Sequence, residues 1–185
     1  TKSAPTAKAA MAKGVTVIDL SADMRLDTSD AYEQWYKVNH PAPELLPVVY
    51  GLPEFYRDKI KDAKMIANPG CYATTMLLPL IPLAKAGQIH SNSKIIVDAK
   101  SGTSGAGRNP KQNILFSEVH GNLSAYNIGR GHRHIGEVEQ QLGKAGLDSG
   151  SLIFTPHLLP VDRGILASIY VQMKDTAEAI QIIKD

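Results

Sequence analysis

A glycine that ends a helix stands directly before a compact apolar strand near the start of the chain, and this order constrains the fold more than any other feature. Small residues at helical spacing fill positions 1–14 and end at Gly14. Residues 15–20, VTVIDL, form a β-branched run that predicts a buried strand. A helix that leads into a buried strand is typical of a parallel α/β sheet. We therefore expect the chain to start inside such a sheet, as a fragment of a longer protein.

Two further segments continue this alternation. Ser29 and Asp30 can cap a helix that extends to about Asn39, where Pro41 then prevents the helix from continuing. A second short strand is predicted over 65–67. The first part of the chain therefore predicts helices that alternate with parallel strands.

The pattern changes after a turn signal, Asn-Pro-Gly, at 68–70. A long helix is expected over 71–87. Beyond it the strands are longer and the helices fewer, with strands at 94–99, 152–157 and 164–173 and helices at 134–145 and from about residue 176. This order favours an antiparallel or mixed sheet with helices on one face. We place a boundary near Cys71, with an α/β unit over 1–70 and an α+β unit over 71–185.

Composition excludes several classes of function. Hydrophobic residues make up 43% and charged residues 21% of the 185 residues, which is ordinary for a globular protein. The net charge of +2 gives no reason to expect nucleic acid or a membrane surface as partner. The longest apolar stretch, 72–84, is too short to span a bilayer. The single cysteine excludes an internal disulfide framework and fits a reducing compartment, most simply the cytoplasm.

The clearest candidate for chemistry is Cys71, which falls in the first turn of a predicted helix. The first turn of a helix carries unpaired backbone N–H groups and the positive end of the helix dipole. Both stabilise a thiolate, and the same N–H groups can hold an oxyanion. The sequence therefore predicts a nucleophile at this position. The alternative is a small, buried, unreactive side chain.

A histidine-rich segment supplies the candidate base. In 129–137, GRGHRHIGE, one residue separates His132 from His134, and we expect the two side chains to face opposite ways if the backbone is extended. Either histidine can act as general base for Cys71. A zinc site would need a third ligand, for which His120, His157 and Glu137 are candidates. No recognised ligand spacing is present, so no metal is predicted. The alternative is a solvated basic turn.

A Gly/Ser-rich segment, SGTSGAGR at 101–108, is a candidate ligand-binding loop. Its small residues let the backbone approach a ligand closely, and Arg108 offers a bidentate guanidinium for a carboxylate or phosphate. Arg25, Arg133 and Arg163 are further candidates, although a single arginine is more often a surface residue. No G-x-G-x-x-G turn and no P-loop occurs, so the usual dinucleotide fingerprint is absent from these residues.

Taken together, several segments resemble the N-acetyl-γ-glutamyl-phosphate reductases, the arginine-biosynthesis members of the aspartate-semialdehyde dehydrogenase-like superfamily. The segments occur in the order of that family and span nearly the whole chain. They are 17–25 (VIDLSADMR), 49–54 (VYGLPE), 68–72 (NPGCY), 101–108, 132–137 (HRHIGE) and 155–165 (TPHLLPVDRGI). One departure is Ala73, where a proline is common in the family.

The resemblance implies a fold in which a Rossmann domain is interrupted by an α+β catalytic domain. Residues 1–70 are similar to the C-terminal part of the first Rossmann segment, which binds NADP, and residues 71–185 to most of the catalytic and dimerisation domain. The glycine-rich dinucleotide turn and the closing C-terminal region of the family are missing. Activity is therefore expected of the full-length protein rather than of this fragment. A cytoplasmic homo-oligomer, a dimer or tetramer, with a small-molecule substrate is implied.

The resemblance also implies the reaction, an NADPH-dependent reduction of N-acetyl-glutamyl 5-phosphate to N-acetyl-glutamate 5-semialdehyde. The implied intermediate is a thioester on Cys71, with His134 as general acid and base. The implied substrate-binding residues are Arg108, Arg163, Tyr126, His132, Asn68 and Arg25. The residues implied to border the nicotinamide are Ser104, Gly105, Ala106 and Gly107.

Three rival interpretations differ in class. The first is reduction of a related acyl phosphate, such as a carrier-bound aminoadipyl phosphate, which should need a basic docking face. The second is a Cys–His hydrolase or acyltransferase without nicotinamide, which leaves the α/β segment before Cys71 unexplained. The third is an isolated binding or assembly domain.

Overall fold

The computed structural model describes residues 3–107, 109, 111–147, 150 and 152–184. The chain divides into two compact units, Thr1–Gly70 and Cys71–Asp185, and each unit has its own β-sheet. No helix in the described ranges is both long and apolar enough to cross a lipid bilayer.

The first unit contains a three-stranded parallel sheet with the order β1-β3-β2. Its strands are β1 (Val17–Asp19), β2 (Val49–Tyr50) and β3 (Met65–Ala67), and its helices are α1 (Ser3–Met11), α2 (Ser29–Tyr36) and α3 (Pro53–Lys61). One cluster of its core is built from small and flexible side chains, with Ala4 and Ala7 of α1 buried together with Met24 and Met65. The predicted parallel α/β arrangement is confirmed.

Helix α2 differs from the prediction at both ends. Thr28 is the N-cap, and its Oγ1 accepts a hydrogen bond from the N–H of Ala31 at 3.2 Å. The prediction of a helix to Asn39 is wrong, because Tyr36 is the last helical residue and Lys37 adopts the left-handed conformation with φ 59°. The sequence also gives no signal for β2 and α3, since a two-residue strand has no periodicity and α3 buries no side chain.

The second unit contains a four-stranded mixed sheet with the order β5-β6-β4-β7. Its strands are β4 (Ile95–Ser101), β5 (Ser124–Ala125), β6 (Leu152–Leu158) and β7 (Ile165–Tyr170), and its helices are α4 (Cys71–Lys85), α5 (Phe116–Val119), α6 (His134–Lys144) and α7 (Thr176–Lys184). Strands β4 and β6 are parallel, whereas β4–β7 and β5–β6 are antiparallel. The predicted mixed sheet is confirmed.

Alternating side chains separate the two faces of this sheet. Ile95, Val97 and Ala99 of β4 are fully buried on one face, where α4 packs against α6 and β7. Helix α4 runs without interruption through Pro79 and Pro82. On the other face, Ile96 is exposed and Asp98 and Lys100 are half-buried. The helices therefore cover one face of the sheet and leave the other open.

Candidate active site

Cys71 is the first residue of α4, and its side chain is exposed. At this position, the free N–H groups and the positive dipole end of a helix act on the side chain. One turn further on, the hydroxyl of Thr75 donates to the Cys71 carbonyl oxygen at 3.0 Å. The exposure excludes the alternative of a buried apolar cysteine and leaves the sulfur open to an electrophile.

The ring of Tyr72 joins the start of α4 to the histidine pair. Tyr72 follows Cys71 and is buried. Its ring lies edge-on to His132 at a centroid distance of 5.5 Å and to His134 at 6.3 Å. The two imidazole centroids are 4.7 Å apart. The structure therefore brings the first residues of α4 and α6 to one place, with both histidines around the neighbour of the exposed thiol.

The prediction that His132 and His134 face opposite ways is wrong. Arg133 between them is helical, with φ −59° and ψ −28°, and it is the N-cap of α6. The chain therefore turns where the prediction assumed an extended backbone. Even an extended backbone would place these two side chains on one face, because residues two apart share a face of a strand. The N–H of His134 donates to Nδ1 of His132 at 3.2 Å. Both rings are half-buried, which argues against a solvated turn.

Two phenols extend this cluster. The hydroxyl of Tyr126 donates to the Tyr72 oxygen at 3.3 Å, and the Tyr72 hydroxyl donates to the carbonyl oxygen of His157 at 3.4 Å. Burial raises the pKa of Tyr72, so its phenol stays neutral. The ring of Tyr126 lies 5.9 Å from that of His132. The predicted substrate residue Tyr126 is therefore placed beside the histidine pair.

His132 lies in an environment that disfavours positive charge. Phe154 contacts its ring at 5.2 Å, in addition to the two tyrosines. Burial lowers the pKa of His132 to about 4, and the positive charge of Arg133 acts in the same direction. His132 is therefore neutral near neutral pH and poorly suited to accept a proton, which leaves His134 as the better candidate for the acid–base role.

The Gly/Ser-rich loop continues β4 as a short 3₁₀-helix, Thr103–Ala106. Just before it, Gly102 lies so close to Arg163 that an added Cβ would sit 2.7 Å from the Arg163 backbone nitrogen. An open cavity of about 610 Å³ is lined by Thr103, Ser104, Gly107, Ile114, Asp162 and Arg163. The structure therefore brings Arg163 to the predicted ligand loop. Arg108 lies outside the described residues.

This loop offers space rather than N–H donors. Four of its backbone N–H groups already donate to protein carbonyl oxygens, those of Thr103, Ser104, Gly105 and Gly107. A Cβ at Gly105 would meet only the Oγ of Ser101, at 3.9 Å, and a Cβ at Gly107 would meet nothing within 4 Å. The loop therefore suits a flat ring lying against its backbone better than a phosphate, which needs several donors.

Arg25 and Asn68, both in the first unit, contact each other. The Nε of Arg25 donates to the Asn68 carbonyl oxygen at 2.8 Å, and an Nη donates to the Leu20 carbonyl oxygen at 3.0 Å. The side-chain amide of Asn68 donates to the Pro69 carbonyl oxygen at 3.1 Å. These bonds tie together the segments that follow β1 and β3, which is a structural task. A contact of either residue with substrate stays a prediction.

Sequence reasoning gives Tyr72 no role, although the structure places it at the centre of the cluster. Its position directly after the candidate nucleophile is the one sequence signal that could have found it. Its partners His132 and Phe154 are distant in sequence, and no spacing rule links them to it. Within the part of the chain that the structure describes, no group of His, Cys, Asp or Glu side chains is arranged to hold a metal ion.

Comparisons with known proteins define the class. The model of the semialdehyde dehydrogenase dimerisation domain matches residues 71–184. The model of the semialdehyde dehydrogenase NAD binding domain matches residues 1–63. The chain belongs to the semialdehyde dehydrogenase family.

The relatives described next share one name, N-acetyl-gamma-glutamyl-phosphate reductase. The N-acetyl-gamma-glutamyl-phosphate reductase of Thermoanaerobacter sp. (strain X514) is 49% identical over 168 residues, which are 91% of this chain and 48% of that protein. The reductase of the same name from Desulfotalea psychrophila is 50% identical over 173 residues, 93% of this chain and 49% of that protein. The chain thus spans about half the length of the curated relatives it matches.

A solved structure supports the fold. Aspartate semialdehyde dehydrogenase II from Vibrio cholerae superposes with a TM-score of 0.68 at 19% sequence identity. The match covers 98% of this chain and 56% of that one. At this identity the similarity shows a shared fold and nothing about substrate.

Proposed function

We propose that the full-length protein reduces N-acetyl-γ-glutamyl phosphate to N-acetyl-glutamate 5-semialdehyde in arginine biosynthesis. The observation that carries the proposal is the exposed Cys71 at the start of α4, beside a tyrosine whose ring contacts His132 and His134. The relatives named N-acetyl-gamma-glutamyl-phosphate reductase support this substrate. The single cysteine fits a reducing compartment, and the cytoplasm is proposed with it.

In the proposed reaction, the sulfur of Cys71 attacks the acyl carbon and expels phosphate, which leaves a thioester. A covalent intermediate divides one difficult step into two easier ones. The N–H groups at the N-terminus of α4 can hold the negative charge that develops on the carbonyl oxygen. An exposed sulfur meets the requirement of access.

His134 is proposed to handle the proton. Its imidazole protonates the carbonyl oxygen as charge develops there, and takes that proton back when the C–S bond breaks and the aldehyde leaves. His134 begins α6, and its ring lies against Tyr72, the neighbour of the nucleophile. His132 is the weaker candidate for this task, because its surroundings keep it neutral.

A bound nicotinamide supplies the hydride that reduces the acyl carbon, and we propose NADPH as its form. The loop residues proposed to border it are Ser104, Gly105, Ala106 and Gly107. The loop fits such a ring because Gly105 leaves open space that its own chain does not fill. The match of residues 1–63 to an NAD binding domain supports a nicotinamide cofactor.

Arg163 and Arg108 are proposed to bind the carboxylate and phosphate groups of the substrate. A guanidinium can hold either group with two parallel hydrogen bonds. Arg163 is exposed and lines the cavity beside the loop. Arg25 is the weaker candidate, because two of its nitrogens already bond backbone carbonyl oxygens.

A second copy of the chain is proposed to cover the open face of the mixed sheet. One row across this face is entirely apolar, with Ile153, Ile96 and Tyr170 in register on three neighbouring strands. Their exposed fractions are 48%, 42% and 59%. A row of this kind is typical of an interface. The match to a dimerisation domain supports a homo-oligomer.

The proposed function is tested by running the reaction backwards with the full-length protein. N-acetyl-glutamate semialdehyde, phosphate and NADP⁺ are mixed, and the absorbance of NADPH is followed. We expect NADPH to form, and the absence of any signal with NADP⁺ or NAD⁺ would contradict the proposal. An aminoadipate-type semialdehyde, tried in parallel, distinguishes the rival acyl phosphate.

Cys71→Ser tests the nucleophile within the same assay. We expect kcat to fall at least about 1,000-fold while substrate still binds, because the covalent route is lost. Thr75→Ser on the same helical turn is the matched control, since it keeps the hydroxyl that bonds the Cys71 carbonyl oxygen. A Cys71→Ser enzyme with more than about 10% of the natural kcat would remove Cys71 from this role.

A further inference from the structure

The Nδ1 atom of His132 is already in use as a hydrogen-bond acceptor. The backbone N–H of His134 donates to it at 3.2 Å. A ring nitrogen can accept a hydrogen bond only when it carries no proton. This bond therefore fixes a neutral imidazole with its single proton on Nε2.

The surroundings of the ring act in the same direction. Tyr72, Tyr126, Phe154 and His134 contact the imidazole with their rings at 5.5, 5.9, 5.2 and 4.7 Å. Aromatic rings give a buried charge no hydrogen bond and far less solvation than water does. The neighbouring ionised group is Arg133, which carries the same sign as an imidazolium, and burial lowers the pKa of His132 to about 4.

His40 in the first unit shows the same local arrangement with a different outcome. Its Nδ1 accepts from the N–H of Ala42, also two residues further on, at 3.1 Å. Its Nε2 donates to the carbonyl oxygen of Asp23 at 2.7 Å, and the ring is buried. Both nitrogens of His40 are therefore satisfied by the protein, and the residue has a purely structural task.

The Nε2 of His132 has no such partner. Among the described residues, the bond at Nδ1 is the only hydrogen bond that the ring makes. The residue is half-buried, and Nε2 of His132 is not among the fully buried polar atoms without a partner in the described part of the chain, so a ligand can reach this atom. A neutral imidazole N–H that is held in place acts as a hydrogen-bond donor to developing negative charge without itself transferring a proton.

We propose that His132 is a catalytic residue that donates from Nε2–H to the carbonyl oxygen of the bound acyl group and does not serve as a second acid–base group. This proposal rests on the proposed function in one respect, namely that the oxygen which accepts from Nε2–H is the carbonyl oxygen of the acyl substrate. His134 moves the proton, and His132 stabilises the negative charge. Tyr72 and the N–H of His134 hold the His132 ring in the required orientation.

Two substitutions in the full-length protein separate the roles of the two nitrogens. His132→Gln places an amide N–H near the position of Nε2 and loses the acceptor at Nδ1. His132→Asn keeps an acceptor near Nδ1 and loses the donor. We expect His132→Asn to lower kcat by about 100- to 1,000-fold, as for loss of an oxyanion donor, and His132→Gln by no more than about 10-fold. Equal losses, or a better His132→Asn enzyme, would overturn the proposal.

Nitrogen-15 NMR of the histidine rings gives a second readout that does not need activity. We expect Nδ1 of His132 to resonate as an unprotonated nitrogen and Nε2 as a protonated one throughout pH of about 5 to 8. A protonated Nδ1, or an imidazolium within that range, would overturn the proposal. If the reductase assay fails while this tautomer is observed, the proposed function is wrong and the assignment of a neutral Nε2–H donor stands.

Discussion

At the scale of single residues, His132 shows how neighbours set the charge of an imidazole. Its pKa is lowered from 6.5 to about 4, first by burial and then by the charge of Arg133. Between these two pH values, His132 in the unfolded chain binds a proton that the folded chain does not bind. Stability therefore increases with pH across this window, since the unfolded state binds more protons there.

This linkage can be measured on the chain itself. We expect the free energy of unfolding to fall as the pH is lowered from about 6.5 towards about 4. The His132→Asn variant has no imidazole at this position, so its stability lacks this pH dependence. The difference in free energy of unfolding between the natural chain and the variant should therefore shrink as the pH decreases. Urea unfolding followed by circular dichroism at a series of pH values measures both curves. His120→Asn, at an exposed position, is the control. Parallel curves for the natural chain and His132→Asn would contradict the expectation.

Gly102 fixes the distance between the Gly/Ser-rich loop and the loop that carries Arg163. A Cβ at Gly102 would lie 2.7 Å from the backbone nitrogen and 2.9 Å from the Cα of Arg163. Gly102→Ala must push the two backbones apart and weaken the bond from its own N–H to the Gly164 carbonyl oxygen, now 3.0 Å. We expect a loss of about 1–3 kcal/mol in the free energy of unfolding, which is typical of overpacking.

Thermal unfolding of Gly102→Ala and Gly105→Ala forms the matched comparison. An added Cβ at Gly105 meets only the Ser101 Oγ, at 3.9 Å. The free energy of unfolding of Gly105→Ala should therefore lie within about 0.5 kcal/mol of that of the natural chain. Equal stability of the two variants would show that the approach of Gly102 to Arg163 is not a tight one.

At the scale of elements, long periodic segments could be predicted and short ones could not. The segment at 94–99 predicts β4, which is observed as Ile95–Ser101. The segment from His134 to about residue 145 predicts α6, which is observed as His134–Lys144. The glycine stop after α4 is also correct, since Gly87 adopts φ +66°. Strand β5 has only two residues, both exposed, and depends on pairing with β6 rather than on its own pattern.

Helix ends depend on single side-chain contacts, and α2 provides a test. The Oγ1 of Thr28 accepts the N–H of Ala31, one of the donors that a helix start leaves without a partner. We expect Thr28→Ala to lower the free energy of unfolding of the first unit by about 1 kcal/mol. Thr28→Ser keeps the hydroxyl acceptor, so its free energy of unfolding should stay close to that of the natural chain. Fluorescence of Trp35, which lies within α2, can follow the denaturant unfolding of this unit. If Thr28→Ser were destabilised as much as Thr28→Ala, the hydrogen bond of the hydroxyl would not be the cause of the destabilisation.

The candidate site, too, could be predicted from the sequence only in part. Motif and helix position are enough to single out Cys71, His132 and His134, because a helix start imposes its electrostatics locally. The contact of Tyr72 with both histidines is tertiary, since it depends on how α4 packs against α6. The neutral state of His132 likewise depends on Phe154, which reaches its ring from β6. The sequence thus indicates the candidate reactive residues, and only packing indicates how their charges are set.

At the scale of the whole molecule, the open face of the mixed sheet is unevenly composed. The row of Ile153, Ile96 and Tyr170 is apolar, whereas the next row contains Thr155, Asp98 and Ser168. Asp98 is paired with Lys100, and its other carboxylate oxygen lies 3.3 Å from Nδ1 of His157. An interface between two copies would therefore gain its free energy from the apolar row, and the paired charges would set the relative orientation of the copies.

Ile96→Lys places a charge in the middle of the apolar row on the central strand β4. If a second copy covers this face, two lysines per dimer become buried without partners, and we expect the dissociation constant to rise at least about 100-fold, equivalent to roughly 3 kcal/mol. Analytical ultracentrifugation of the full-length protein across a dilution series measures this change. Val38→Lys, at a 52% exposed apolar position in the first unit, is the matched control and should leave association unchanged. Circular dichroism separates dissociation from unfolding, since a folded Ile96→Lys monomer is the expected product. A folded Ile96→Lys protein that associates as tightly as the natural one would place the subunit interface on another surface.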